Sequence, residues 1–290
     1  MSILDQIIAG VQADLAARES QVPLEQIREW AHKAPTPKDA CLALRSTPGA
    51  VSIIGEIKRS TPSIKNLHPL TDPGRVAVEY ENGGASIISC VTEKNFFGGS
   101  NADLCRVRKC VDIPVLQTDF IISPYQILEA RVNGADMVLL TVGLLNQAQL
   151  ESFIERTESL GMTALVEVES RLELLTALDA GAKVIGVNAR NLQTQELDCY
   201  KMAEIFDIVP AEVTAVAAAG VQGPKEIIEY AKMGADAIMV GEALLRSPNI
   251  TARMQELVVT GQHPALLTDR KERVKMHILR TQHELYQNRG

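Results

Sequence analysis

The chain is poor in aromatic residues. Phe, Tyr and Trp make up 4% of its 290 residues, so the core must be built from aliphatic side chains. That suits parallel strands buried on both faces, which read as Val, Ile and Leu runs. A basic excess is also missing: 29 lysines and arginines stand against 36 aspartates and glutamates, for a formal net charge of −7. Nucleic-acid surfaces usually carry the opposite balance, so nucleic acid is not expected as a partner, although a small local anion pocket is compatible. No apolar run approaches the ~20 residues of a membrane span, and no membrane partner is expected. The opening stretch, residues 1–20, is acidic and amphipathic rather than a secretory leader. The five cysteines, Cys41, Cys90, Cys105, Cys110 and Cys199, are odd in number and include no Cys-x-x-Cys pair. Scattered free thiols fit a reducing compartment, and a cytoplasmic protein is expected. A Gly-x-Gly-x-x-Gly turn after a first strand is absent as well, which removes the main support for a doubly wound dinucleotide fold.

What is present is a repeat. A helical stretch ends in Gly or Gly-Ala, and an aliphatic strand follows at once. The pattern recurs at 82–92, 133–142, 160–169, 180–188 and 233–241. Glycine just past a helix end adopts the left-handed conformation that stops the helix. The apolar run after it is too short for a helix and rich in Val and Ile. Two strands at 113–120 and 212–220 lack the glycine lead but keep the character, and 51–59 opens the series. Strands alternating with helix-length segments imply parallel βαβ units. Eight units in about 200 residues fit an α/β fold closed as a (β/α)8 TIM barrel.

Residues 1–48 are expected to form a helical extension, 49–262 the barrel and 263–290 a tail, in one domain overall. The extension shows two or three helical patterns, broken at Pro23 and at Ala34-Pro35-Thr36-Pro37. It is expected to cover one end of the barrel or to lie over the active site. The tail places Val274, Ile278 and Leu285 at near-helical spacing among basic residues. It reads as a terminal helix packing on its own barrel, or as a contact for a partner protein.

In such a barrel the working residues lie at strand C-termini and in the loops that follow. Strand 1 ends in Glu56-Ile57-Lys58, and alternation puts Glu56 and Lys58 on the same, inward side. An inward carboxylate and ammonium are costly unless paired or used. Strand 5 turns Glu167 and Glu169 inward in the same way, and strand 6 ends in Asn188 and Arg190. The last two strands end in Gly220 and Gly241. Glycines there let backbone N–H groups approach a ligand, and the loops after strands 7 and 8 are the usual phosphate site of this fold.

Six segments then carry a family likeness: 53–63 (IIGEIKRSTPS), 91–100 (VTEKNFFGGS), 114–127 (PVLQTDFIISPYQI), 165–174 (LVEVESRLEL), 185–192 (IGVNARNL) and 240–247 (VGEALLRS). In this order they resemble the indole-3-glycerol phosphate synthase family over about residues 1–265. Members close the indole ring of carboxyphenylamino-deoxyribulose phosphate in tryptophan biosynthesis, losing carbon dioxide and water, and require no metal or organic cofactor. The resemblance implies acid/base roles for Glu56 and Glu167. It puts Lys58 near the substrate carboxylate and phosphate, and Asn188 on the substrate hydroxyls. Arg190, Gly220, Gly241, Glu242 and Ser63 fall to the substrate and phosphate set, and Phe97, Phe120 and Leu139 to the walls around the anthranilate ring.

The likeness breaks at two places. Where the family has Lys-Asp-Phe on strand 3, this chain has Thr118-Asp119-Phe120. Where it has Glu-Ser-Gly on strand 7, this chain has Ala218-Ala219-Gly220. The family lysine is its principal general acid, and a positioned acid is typically worth about 10²–10⁴ in rate. The residues that bind are kept while some that do chemistry are not. The readings are a synthase of lowered activity, a paralogue acting on a related phosphorylated substrate, and a non-catalytic member that works through a partner.

Overall fold

The structure is a computed structural model, and it describes residues 2–45, 49–65, 67, 72–188, 190, 198–218 and 220–266. Ala219 and the tail segment 268–290, both singled out from sequence, lie outside the described residues.

Three helices come first: α1 (Ile3–Gln21), α2 (Leu24–Lys33) and α3 (Ala40–Leu44). The eight expected strands follow: β1 (Ser52–Ile57), β2 (Ile87–Val91), β3 (Val115–Thr118), β4 (Met137–Thr141), β5 (Thr163–Val168), β6 (Val184–Val187), β7 (Thr214–Ala217) and β8 (Ala237–Val240). Between them run α4 (Pro73–Asn82), α5 (Asn101–Arg108), α6 (Pro124–Val132), α7 (Gln147–Ser159), α8 (Arg171–Asp179), α9 (Cys199–Phe206) and α10 (Pro224–Met233). A short α11 (Glu242–Leu245) and α12 (Ile250–Gly261) follow β8. All neighbouring strands pair in parallel, and β1 closes on β8 with Ser52 opposite Ala237 and Gly55 opposite Val240. The chain is a closed (β/α)8 barrel.

The glycine stops do what the sequence predicts. Gly84, Gly134, Gly161, Gly181 and Gly234 all hold positive φ just before a strand. At Gly234 φ is 114°, a backbone that a side chain would strain, and it turns the chain from α10 into β8.

Strand alternation sorts the aliphatic residues into two cores. Ile54, Ile87, Leu116, Met137, Leu165, Val184, Val216 and Met239 fill the barrel interior. Ile53, Ile88, Val115, Val138, Val166, Ile185 and Ile238 face outward to the helices. The interior is therefore packed, and the free end of the barrel is its C-terminal rim.

The N-terminal extension serves both ends of the barrel. Ala40 and Leu44 of α3 join the interior cluster and plug its N-terminal end. There Lys38 donates its backbone N–H to Asp136, which also accepts from Val115 N–H and pairs with Arg108. α2 packs on α6, and Arg18 of α1 bonds Glu129 of α6 at 2.8 Å. α1 continues over the rim, where Asp14 accepts from Asn95 and Leu4 reaches the cavity. Leu266, just past α12, is buried against the barrel, so the described start of the tail packs on its own fold. No helix among the described residues is long and apolar enough to cross a membrane.

Candidate active site

A cavity of about 620 Å³ opens at the C-terminal rim. Every described residue that the sequence put forward for the site lines it. Glu56, Lys58 and Ser63 come from β1 and its loop, and Phe97, Phe120 and Leu139 from the β2, β3 and β4 side. Glu167 and Glu169 of β5 and Asn188 and Arg190 after β6 follow around the ring, and Gly220, Gly241 and Glu242 complete it. The elements expected to meet, the β7 and β8 rims and the charged pair of β1, surround one space.

Alternation delivers the β1 pair as expected. The Lys58 ammonium donates to the Glu56 carboxylate, and both side chains are largely buried. Gly241 has a second reason to be glycine besides room for a ligand. A Cβ there would lie 2.6 Å from Glu56 Oε2 and 3.4 Å from Lys58 Cε. Glu242 starts α11 and pairs with Arg246 at 2.9 Å. Gly220 holds φ of 83° in the turn between β7 and α10.

On the opposite wall the Asn188 amide donates to Glu167 Oε2 at 3.3 Å. The Asn188 side-chain oxygen accepts the Arg190 backbone N–H at 3.1 Å, which fixes the amide with its NH2 towards Glu167. Burial pushes the Glu167 carboxyl up to about 7, the neighbouring Glu169 carboxylate adds to this, and the Asn188 bond works against it. A carboxyl poised near neutrality can both give and take a proton. Glu169 is also raised, by burial first and by Glu173 second. Glu173 Oε2 accepts the Glu169 backbone N–H at 2.6 Å and turns Glu173 into the same cavity.

One side of the aromatic wall is built by the loop after β2. Phe97 and Phe120 lie with ring centroids 6.0 Å apart, tilted by 44°. Glu93 sets that loop from beneath. Its side chain is buried, and its two oxygens accept the backbone N–H groups of Asn95, Phe96 and Phe97, each at 2.8 Å. Next to Phe120, Asp119 accepts from Thr92 Oγ1 and from Phe120 N–H, and burial raises its carboxyl above the ordinary range.

The two positions that break the family pattern also reach the cavity. Thr118 Oγ1 hydrogen-bonds Ser89 Oγ at 2.8 Å inside the barrel mouth, and Ala218 presents only a methyl group. Asp119, Glu173, Glu93 and Leu4 were not singled out from sequence. Asp119 and Glu173 had weak signals: the first follows a rim residue, and the second stands four residues past Glu169 in the first turn of a helix. Glu93 and Leu4 had none, because their roles depend on how a loop and a distant helix settle on the rim.

Fold and site together define a (β/α)8-barrel protein with an acid–base cavity at the C-terminal ends of its strands. A sequence model described as indole-3-glycerol phosphate synthase matches residues 4–257. The chain is 51% identical over 266 residues to indole-3-glycerol phosphate synthase 1 of Streptomyces coelicolor, covering 92% of this chain and 98% of the relative. It is 49% identical over 266 residues, with the same coverage, to the indole-3-glycerol phosphate synthase of Beutenbergia cavernae. Among solved structures, thiamine phosphate pyrophosphorylase from Pyrococcus furiosus superposes with a TM-score of 0.58 at 18% identity, over 76% of this chain and 98% of its own. A 3-hexulose-6-phosphate synthase from Salmonella typhimurium gives 0.59 at 13% identity, over 73% and 99%, and at that distance both share the fold alone. The chain belongs to the indole-3-glycerol phosphate synthase family.

Proposed function

We propose that this chain closes the indole ring of carboxyphenylamino-deoxyribulose phosphate, as an indole-3-glycerol phosphate synthase, at a lowered rate. The ring carbon that bears the carboxylate attacks the sugar carbonyl. Carbon dioxide then leaves, the former carbonyl oxygen departs as water, and the indole glycerol phosphate remains. The observation that carries this reading is Glu167, a carboxyl held near neutrality and oriented by Asn188, across one cavity from the Glu56–Lys58 pair.

Each step needs a proton at oxygen or a cation near developing negative charge. Glu167 gives and takes the proton at ring closure and dehydration, with Glu56 as the second acid/base group. Lys58 faces the developing charge, and Asn188 orients the sugar hydroxyls. The phosphate sits among Gly220, Gly241, Arg190, Glu242 and Ser63. The anthranilate ring lies against Phe97, Phe120 and Leu139. A cytoplasmic place in tryptophan biosynthesis follows from the same reading, with the barrel 49–262 as the catalytic unit and 1–48 as its cover.

Thr118 has no proton to give at neutral pH and is already bonded to Ser89, so the rate falls at that step. A fluorescence assay of indole-glycerol phosphate formation tests this. The native chain should run at least ~10²-fold below ordinary family members, and Thr118→Lys should recover part of the loss. Ordinary turnover by the native chain would refute the role given to Thr118. The neutral pair Thr118 and Ala218 also favours a second reading, a chain that holds a phosphorylated ligand and acts through a partner. Binding without any turnover, in the native chain and in Thr118→Lys, would select it.

A further inference from the structure

The turn between β7 and α10 is gripped from outside the cavity. Gly220, Val221 and Gln222 line the cavity on the side given to the phosphate. Behind them stand two charged side chains that do not line it, Glu226 of α10 and Arg253 of α12. One oxygen of Glu226, Oε2, accepts the backbone N–H of Gln222 at 3.2 Å and that of Gly223 at 2.8 Å. Arg253 Nη2 donates to the Gln222 carbonyl, and Nη1 donates to Glu256. The peptide unit joining Gln222 to Gly223 is thus pinned at its oxygen and at its N–H. A Cβ on Gly223 would lie 3.1 Å from Arg253 Nη2, so the guanidinium packs on bare backbone.

Arg253 reaches the turn from a firm seat. Thr251 Oγ1 of α12 donates to the Glu79 carbonyl of α4 at 3.2 Å, and at the far end of α12 the Gly261 carbonyl accepts the Val51 N–H at 2.9 Å. Between them Met254 is fully buried, and a Cβ at Gly83 would lie 2.5 Å from the Met254 Cβ. Packing that close transmits position rather than absorbing it. The N–H groups just before the clamp stay open to a ligand: among the described residues no group accepts from Gly220 or Val221. Such donors favour an anion most when their direction is fixed beforehand.

We propose that Arg253 and Glu226 are positioning residues for the phosphate end: by pinning the Gln222–Gly223 peptide they hold the Gly220 and Val221 N–H groups ready for phosphate oxygens. The inference rests on the reading above, in which the phosphate sits by Gly220 and Gly241. Neither side chain touches the ligand, and both act through the turn. Glu226 works by accepting N–H groups alone, since its charge opposes a phosphate. An amide oxygen in the same place would serve as well.

Two ligands that differ only in the phosphate separate this role from general stiffness of the rim. Indole-3-glycerol phosphate and its dephosphorylated counterpart are titrated calorimetrically into the full chain, and the ratio of their affinities measures what the phosphate contributes. Arg253→Met keeps the apolar stem and removes the donors, and it should lower that ratio about tenfold. Glu226→Ala should lower it in the same direction. Glu226→Gln, which keeps an acceptor oxygen, should hold the native ratio or exceed it. Circular dichroism checks that each variant folds. A folded Arg253→Met or Glu226→Ala protein with the native ratio would overturn the inference, as would a Glu226→Gln protein as weak as Glu226→Ala. A parallel fall for both ligands would also overturn it, because the variant would then have loosened the whole rim. A native chain that binds the phosphorylated compound no better than the other would overturn the phosphate reading itself, and the clamp with it.

Discussion

Gly241 stands where any side chain would collide with Glu56: a Cβ would lie 2.6 Å from the carboxylate oxygen. Strands β8 and β1 are neighbours in the closed barrel, so the rim of the last strand shapes the charged pair of the first. Gly241→Ala should therefore push Glu56 off Lys58. The expected loss in kcat is about tenfold or more, since proton transfer depends on position. The melting temperature should move little, because the shift falls at the open rim. Loss of KM alone, with kcat kept, would show that Gly241 serves only the ligand.

Glu167 supplies a pH signature. Its carboxyl is raised from 4.5 to about 7 by burial and by Glu169. As a general acid it is active when protonated, so kcat/KM should fall as pH rises through about 7, and Glu167→Gln should remove that limb. Stability follows the same sign. The folded chain binds more protons than the unfolded one between the two values, so stability is full below about 4.5 and declines as pH rises through about 7. Urea midpoints measured across that window should slope downward in the native chain and less in Glu167→Gln. A flat native profile would contradict the burial of this group.

Glu93 holds the aromatic wall through three backbone N–H groups. Glu93→Ala would leave those donors unpaired beneath the loop, at a cost of about 1–3 kcal/mol in unfolding free energy. Because Phe97 is one of the three, KM should rise more than kcat falls. Affinity for inorganic phosphate should stay as it was, since Gly220 and Gly241 lie across the cavity. Parallel loss of phosphate affinity would mean that the whole rim, not the loop, depends on Glu93.

Leu44 tests the plug. It is 2% exposed inside the N-terminal mouth of the barrel. Leu44→Ala should destabilise the chain by about 2–5 kcal/mol in denaturant unfolding. The site is at the other end, so kcat/KM at low temperature should survive. A change below about 0.5 kcal/mol would mean that α3 only rests against the barrel.

Much of this molecule is written in local pattern. The glycine stops and Val/Ile runs set eight strands, because a left-handed glycine and a short aliphatic run act within a few residues of themselves. Glu56, Lys58, Glu167 and Glu169 were legible as inward groups for the same reason, since strand alternation has a period of two. The tertiary structure alone decided what those groups meet. Closure of β1 on β8 put Gly241 against Glu56, and the fall of α1 and the 93–99 loop on the rim brought in Leu4 and Glu93. Burial, which no sequence states, raised Glu167, and the cavity itself exists only once eight distant rims stand around one space.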